Sequence, residues 1–136
     1  IAHAGTFGAN GSSMEAAKAV LEILESSPVL DDMSKRGEIL KSGMDKILID
    51  AGIPHQMTGH PNMQGFLITE TPANEVRDLA NHNDEFYNAI MAYLYDNGVW
   101  AEMDAREPWF LSEAHTDDLI SETLNKFEDA VKVAKN

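Results

Sequence analysis

The chain contains no cysteine. That removes disulfide frameworks, iron–sulfur clusters, thiolate zinc sites and cysteine nucleophiles. Positive charge is also scarce: three arginines (Arg36, Arg77, Arg106) and seven lysines face 23 Asp and Glu, for a formal net charge of −13. Neutralising phosphates needs a basic face, so neither nucleic acid nor an anionic membrane is an expected partner. No apolar run approaches the ~20 residues that span a bilayer, and stretches such as Ala89-Ile90-Met91-Ala92-Tyr93-Leu94-Tyr95 fit a packed helix face. Residues 1–11 have neither the basic start nor the apolar core of a signal peptide, so a cytoplasmic location is expected. The first residue is Ile, and the opening reads as the middle of something, so a fragment of a longer polypeptide is expected.

What is present fits one domain. A chain of 136 residues is long enough to hold a core without staples, burying roughly two-thirds of its unfolded surface. Ser12-Ser13-Met14-Glu15 has the form of a capping box and should open a helix. Met14, Ala17, Leu21 and Leu24 then place an apolar stripe on its core side. A second helix is expected over residues 29–51, from Met33, Gly37, Leu40, Met44 and Ile47, with Gly52 and Pro54 ending it.

From His55 to Thr71 the helical period vanishes, and Gly59-His60-Pro61-Asn62 separates two extended runs that should pair as strands. Residues 71–83 read as a loop with a helical turn near 75–79. A third helix is expected over residues 84–97 with Phe86, Ile90 and Tyr93 or Leu94 inward, then short strands at Val99-Trp100 and Phe110-Leu111-Ser112. Thr116 should cap a last helix whose stripe is Ile120, Leu124, Phe127, Val131 and Ala134. The strands are too short and too few for a doubly wound sheet. The expected fold class is therefore α+β: a small antiparallel sheet of three to four strands with helices packed on one side.

No complete catalytic constellation stands in the sequence. The five histidines (His3, His55, His60, His82, His115) match no metal-ligand spacing, and the acidic pairs Asp31-Asp32, Asp117-Asp118 and Glu128-Asp129 fall at helix starts or on polar faces. The opening differs. Gly5-Thr6, then Gly8-Ala9-Asn10-Gly11 and a helix start, brings backbone N–H groups, a hydroxyl and a positive helix end together. Such a place suits a phosphate, although plain turn chemistry uses the same residues.

The stretch Gly5-Thr6-Phe7-Gly8-Ala9-Asn10, with Ser13-Met14-Glu15-Ala16-Ala17 and Leu21-Glu22-Ile23-Leu24, resembles the segment after the cofactor lysine in class III pyridoxal-phosphate (PLP) aminotransferases. Downstream, Gly52-Ile53-Pro54, Gly65-Phe66, Asn97-Gly98-Val99, and Phe110-Leu111-Ser112 with Ala114-His115-Thr116-Asp117-Asp118 resemble the glutamate-1-semialdehyde aminomutase branch. The resemblance implies the small C-terminal domain of a fold-type I enzyme over residues 13–136, with residues 1–12 closing the large domain. It implies PLP as cofactor, with Gly5 and Thr6 on the phosphate of a neighbouring subunit, and hence a homodimer. It also implies that the Schiff-base lysine precedes Ile1, so this chain alone should not transaminate.

Two positions depart from the family pattern. Gly11 stands where proline is usual, which loosens the helix entry. Arg106 stands where an aromatic residue is usual before Glu107. Arg106 and Glu107 would line the substrate pocket, with Arg106 either pairing a substrate carboxylate or tied at the surface to Glu102, Asp104 or Glu107. The expected function is thus the C-terminal part of an aminomutase or, alternatively, of a transaminase acting on a small amino acid or keto acid, completed by missing N-terminal and large domains. A free-standing, non-catalytic acidic interaction domain is the alternative from another class.

Overall fold

The structure, a computed structural model, describes Gly5, Thr6, Gly8 and residues 10–136; His3, and Phe7 and Ala9 of the glycine-rich opening, lie outside the described residues. Helices α1 (Gly11–Ser26) and α2 (Val29–Asp50) come first, followed by the hairpin β1 (His55–His60) and β2 (Met63–Ile68). A 3-10 helix (Val76–Asn81), α3 (Asp84–Asp96), β3 (Trp109–Phe110) and α4 (Asp117–Ala134) complete the order. The expected α+β class holds: one antiparallel sheet in the order β1-β2-β3, with α4 packed against α2 and α3.

Helices α2 and α3 end as the sequence predicts, each on a glycine in the left-handed region. Gly52 has φ 69° and Gly98 φ 80°. In α2 the Ile53 amide reaches Leu48 O at 2.9 Å and the Gly52 amide reaches Ile49 O at 2.9 Å. In α3 the Val99 amide reaches Leu94 O at 2.8 Å and the Gly98 amide reaches Tyr95 O at 3.1 Å. Both are Schellman closures, which satisfy carbonyls that otherwise have no partner. The second also explains why Val99-Trp100 is not the expected strand. Val99 spends its N–H on the helix cap, and Trp100 turns back to stack on Tyr95, with ring centroids 6.0 Å apart.

The β1–β2 hairpin closes over Pro61-Asn62, with His60 opposite Met63. Gly59 makes the closure possible: its φ is 74°, and a Cβ there would sit 2.0 Å from Met63 O. Phe66 and Ile68 of β2 face the helices, and period-2 alternation sends Leu67 and its β1 partner Gln56 to the other face. Phe66 is the hub of the core, with its ring 5.0 Å from Tyr87, 5.3 Å from Phe127 and 5.9 Å from Trp109. The strand expected at Phe110-Leu111-Ser112 is Trp109–Phe110. It starts after Pro108, which has no N–H to offer a ladder.

Two expectations about the helices are corrected, both in α1. Helix α1 begins at Gly11 on an Asn10 cap rather than on Ser12-Ser13, because the Asn10 carboxamide already accepts the Ser13 amide at 3.2 Å. Its stripe does not face the core: Met14 is 57% and Leu21 64% exposed, and α1 buries no residue among the described ones. In α3 the expected Ile90 and Leu94 are buried and Phe86 packs half-buried against the core, with Tyr87 and Met91 buried beside them. The other expected stripes hold, with Leu40, Met44 and Leu48 of α2 and Ile120, Phe127 and Val131 of α4 buried.

Candidate functional site

The face of the sheet turned away from the helices is covered by two irregular segments. The first runs from the end of β2 through the 3-10 helix. Gln56 of β1 grips it: the Ala73 amide donates to Gln56 Oε1 at 2.7 Å, and Gln56 Nε2 donates to Ala73 O at 3.3 Å. At its end the Asn83 amide donates to Ile68 O at 2.8 Å, and His82 Nδ1 accepts the Ile68 amide at 3.0 Å, so residues 82–83 extend the pairing of β2. The second segment, residues 100–108, is tied to α3 by Tyr87, whose hydroxyl donates to Glu102 O at 2.8 Å. Burial pushes the Tyr87 phenol up to about 12.

Between these segments lies an open cleft of about 580 Å³, with Leu67 and Leu79 as apolar wall and His82, Asp84, Glu102, Asp104 and Arg106 as polar wall. Arg106 stands at its edge in a bidentate pair with Asp104. Arg106 Nε donates to Asp104 Oδ1 at 2.7 Å and to Oδ2 at 3.0 Å, and Nη2 also reaches Oδ2. The Arg106 amide joins them on Oδ1 at 3.0 Å. These hydrogen bonds bring the Asp104 carboxyl down to about 2. Of the two readings of Arg106, the structure therefore has the guanidinium on a neighbouring carboxylate, at the mouth of a cleft large enough for a small ligand. Glu107, the other residue expected at the pocket, is exposed beside the cleft, its amide donating to Asp104 O at 2.9 Å.

Gly5 and Thr6 are exposed ahead of α1. The Gly8 amide folds back onto Gly5 O at 2.9 Å, which forms a turn and leaves Gly5 and Thr6 at the surface rather than inside the core. They lie in a different part of the sequence from Arg106 and Glu107 and share no cavity lining with them among the described residues.

The lysines have other occupations. Lys35, Lys46 and Lys132 lie on Asp32, Asp50 and Glu128, and these carboxylates hold their ammonium groups above the usual lysine range. Lys126 pairs with Glu122, and Lys18 lies 3.8 Å from Glu22. Lys41 and Lys135 donate to the carbonyls of Gly59 and Ala51 at 2.6 and 2.8 Å. A lysine serves as a nucleophile when its neutral amine is favoured by burial or a neighbouring cation, and the carboxylates beside Lys35, Lys46 and Lys132 do the opposite.

Sequence reasoning singled out Arg106 and Glu107 but not His82, Asp84 or Tyr87. His82 sits in a segment without hydrophobic period, and only its pairing with the Ile68 amide, 14 residues away, makes it part of the wall.

The described residues thus form a small antiparallel sheet backed by helices on one face, with an irregular polar cleft on the other. The profile of the family described as Aminotransferase class-III matches residues 1–131, and the chain belongs to that family. Among curated relatives it is similar to glutamate-1-semialdehyde 2,1-aminomutase of Methanopyrus kandleri, 33% identical over 94% of this chain and 30% of that protein. An aminomutase of the same name from Thermus thermophilus is 31% identical, with the same coverage of each chain. The chain thus spans about 30% of the length of the curated relatives it matches.

Among solved structures it resembles the FumI protein of Sphingopyxis sp. MTA144 in its PLP internal aldimine form. The TM-score is 0.78 and the identity 26%, over 97% of this chain and 29% of that one. It shares its fold with a β-phenylalanine aminotransferase from Variovorax paradoxus, with TM-score 0.83 at 22% identity over 97% of this chain and 30% of that one.

Proposed function

We propose that the chain is the C-terminal part of a PLP-dependent aminomutase or aminotransferase of the glutamate-1-semialdehyde aminomutase type. Residues 13–136 would form its small domain and residues 1–12 the end of its large domain. The observation that carries this reading is the family match over residues 1–131 together with the exposed Gly5-Thr6 turn, which is surface-placed and so fits contact with a group outside this chain. The acidic interaction domain is not favoured, since such a domain has no reason to match this family along almost its whole length.

In this reading the amides of Gly5 and Thr6 and the Thr6 hydroxyl hold the cofactor phosphate of a neighbouring subunit in a homodimer. The same N–H geometry that serves phosphates elsewhere is available here. When bound, the cofactor supplies the electron sink for moving an amino group. Arg106 is the specificity element: it exchanges the Asp104 carboxylate for that of a small amino acid or keto acid, while Glu107 borders the pocket. The Schiff-base lysine belongs to the preceding large domain, in keeping with the paired lysines described above. A cytoplasmic setting is part of the proposal, supported by the cysteine-free, strongly acidic composition.

The test is kinetic. In the enzyme that carries this chain with its large domain, Arg106→Ala should raise KM for the carboxylate substrate about tenfold or more while kcat changes little, the signature of lost binding to ground and transition states alike. Turnover of glutamate-1-semialdehyde without an external amino donor would assign the aminomutase, and turnover only with a donor the transaminase. An unchanged KM would remove Arg106 from substrate recognition.

A further inference from the structure

The sequence holds two Asn-Gly steps, Asn10-Gly11 and Asn97-Gly98, both exposed, and the fold treats them in opposite ways. An asparagine before glycine can lose its side-chain amide without any second protein. The next residue's backbone nitrogen attacks the carboxamide carbon, and glycine leaves that approach unobstructed because it has no Cβ. Three groups decide whether this happens: the attacking backbone N–H, the carboxamide oxygen where negative charge develops, and the departing Nδ2.

At Asn97 the attacker and the departing group are both engaged. The Gly98 amide donates to Tyr95 O at 3.1 Å within the closure of α3, and Asn97 Nδ2 donates to Tyr93 O at 2.8 Å. Both bonds must break before a ring can close. At Asn10 the arrangement is reversed. Gly11 is the first residue of α1, so its N–H is one of those a helix leaves without an intrahelical acceptor, and among the described residues no hydrogen bond engages it or Asn10 Nδ2. The oxygen is what is held. Asn10 Oδ1 accepts the Ser13 amide at 3.2 Å, and the Ser13 hydroxyl stands 3.5 Å away, so two donors already face the atom that becomes negative in the transition state. The positive end of α1 also favours loss of the Gly11 amide proton, which makes that nitrogen a nucleophile.

We propose that Asn10-Gly11 is a self-modification site, at which Asn10 is converted to aspartate or isoaspartate. The Gly11 nitrogen forms a bond to Asn10 Cγ, the Cγ–Nδ2 bond breaks, and Nδ2 leaves as ammonia carrying the former Gly11 proton. Water then opens the cyclic imide at either carbonyl, with nothing oxidised or reduced. Aspartate caps a helix as well as asparagine does, so α1 survives its formation. What changes is charge: a carboxylate appears a few residues after Thr6. Resting on the reading of Gly5-Thr6 as a phosphate grip, that carboxylate weakens the hold on the cofactor, and the enzyme loses affinity for it with age.

The experiment incubates this chain at mildly alkaline pH and follows both asparagines by peptide mapping and mass spectrometry, with released ammonia assayed alongside. In the folded chain Asn10 should convert about tenfold faster than Asn97, because only Asn97 must first give up two hydrogen bonds. In urea, where neither set of contacts exists, the two rates should converge. Hydroxylamine added during the reaction should trap the imide by cleaving the chain after Asn10. Gly11→Pro has no N–H to lose and suits the first position of a helix, so it should keep the parent's helix content and abolish conversion at Asn10.

Equal rates at the two sites in the folded chain, a difference that persists in urea, or conversion at Asn10 undiminished in Gly11→Pro would overturn the proposal. In the enzyme carrying this chain with its large domain, Asn10→Asp should raise the dissociation constant of PLP severalfold. If Asn10 converts as expected while Asn10→Asp leaves that constant unchanged, the modification stands and the phosphate reading fails. A raised constant in Asn10→Asp with no conversion of Asn10 in the parent is the reverse.

Discussion

Replacing Tyr87 by Phe removes one oxygen from the junction between the core and the cleft, and its effect should change sign with pH. The ring is 2% exposed and lies 5.0 Å from Phe66 and 5.5 Å from His82, contacts that Phe retains. What is lost is the 2.8 Å hydrogen bond to Glu102 O that ties residues 100–108 to α3. One such bond is worth about 1 kcal/mol net, so at neutral pH the variant should be less stable by about that amount.

At alkaline pH the order reverses. The parent phenol, held up to about 12 by burial against an ordinary value of 10.0, must stay neutral in the folded chain while it ionises freely in the unfolded one. A raised value means a contribution fully present below pH 10 and lost as the pH climbs through 12. The linkage relation places that loss at about 2 kcal/mol by about pH 11.5. Phe has no proton to lose, so the stability curves should cross near about pH 11, with the variant the more stable beyond it. Urea melts of both chains between neutral pH and about pH 11.5 measure this directly. Parallel curves with no crossing would mean that Tyr87 is not buried as described.

The Asp104 carboxyl should titrate at about 2 by carbon-detected NMR rather than at 3.8, because the Arg106 hydrogen bonds favour its ionised form, so the pair is lost only as the pH falls through that point; Asp104→Asn should free the Arg106 guanidinium. Two glycines with similar φ should respond differently to alanine. Gly52→Ala meets open space and should lose about 1–2 kcal/mol for the left-handed conformation alone. Gly59→Ala adds a collision with Met63 O and should lose more than about 3 kcal/mol, or break the hairpin register, as read by urea melts and amide exchange. On α1, Leu21→Glu should leave melting within about 0.5 kcal/mol of the parent, because Leu21 buries little here, and should reduce self-association measured by sedimentation if the exposed stripe is a contact surface.

Features set by nearest neighbours along the chain were legible in the sequence. The glycine stops of α2 and α3, the Thr116 cap and the Ile120-to-Val131 stripe each follow from chemistry within a few residues, and each is present. Features decided by what lies outside a segment were not. The α1 stripe has the right period, but period alone does not say whether this chain supplies the surface that covers it. The Val99-Trp100 strand failed because a cap competed for the Val99 amide and won. At the cleft, Arg106 was found because it interrupts a recognisable family pattern, and Glu107 because it follows that pattern at the next position. His82 was missed because its role depends on a backbone amide of β2 that no local spacing reveals.

The most direct measurement is the dissociation constant of PLP from the enzyme containing this chain and its large domain, for Thr6 against Thr6→Val. Thr6 is exposed in this chain, so its replacement should leave the small domain's melting unchanged. Loss of one charge-assisted hydrogen bond to the phosphate should weaken cofactor binding about tenfold or more. An unchanged constant, with the variant folded and dimeric, would contradict the assignment of the Gly5-Thr6 turn as the phosphate grip.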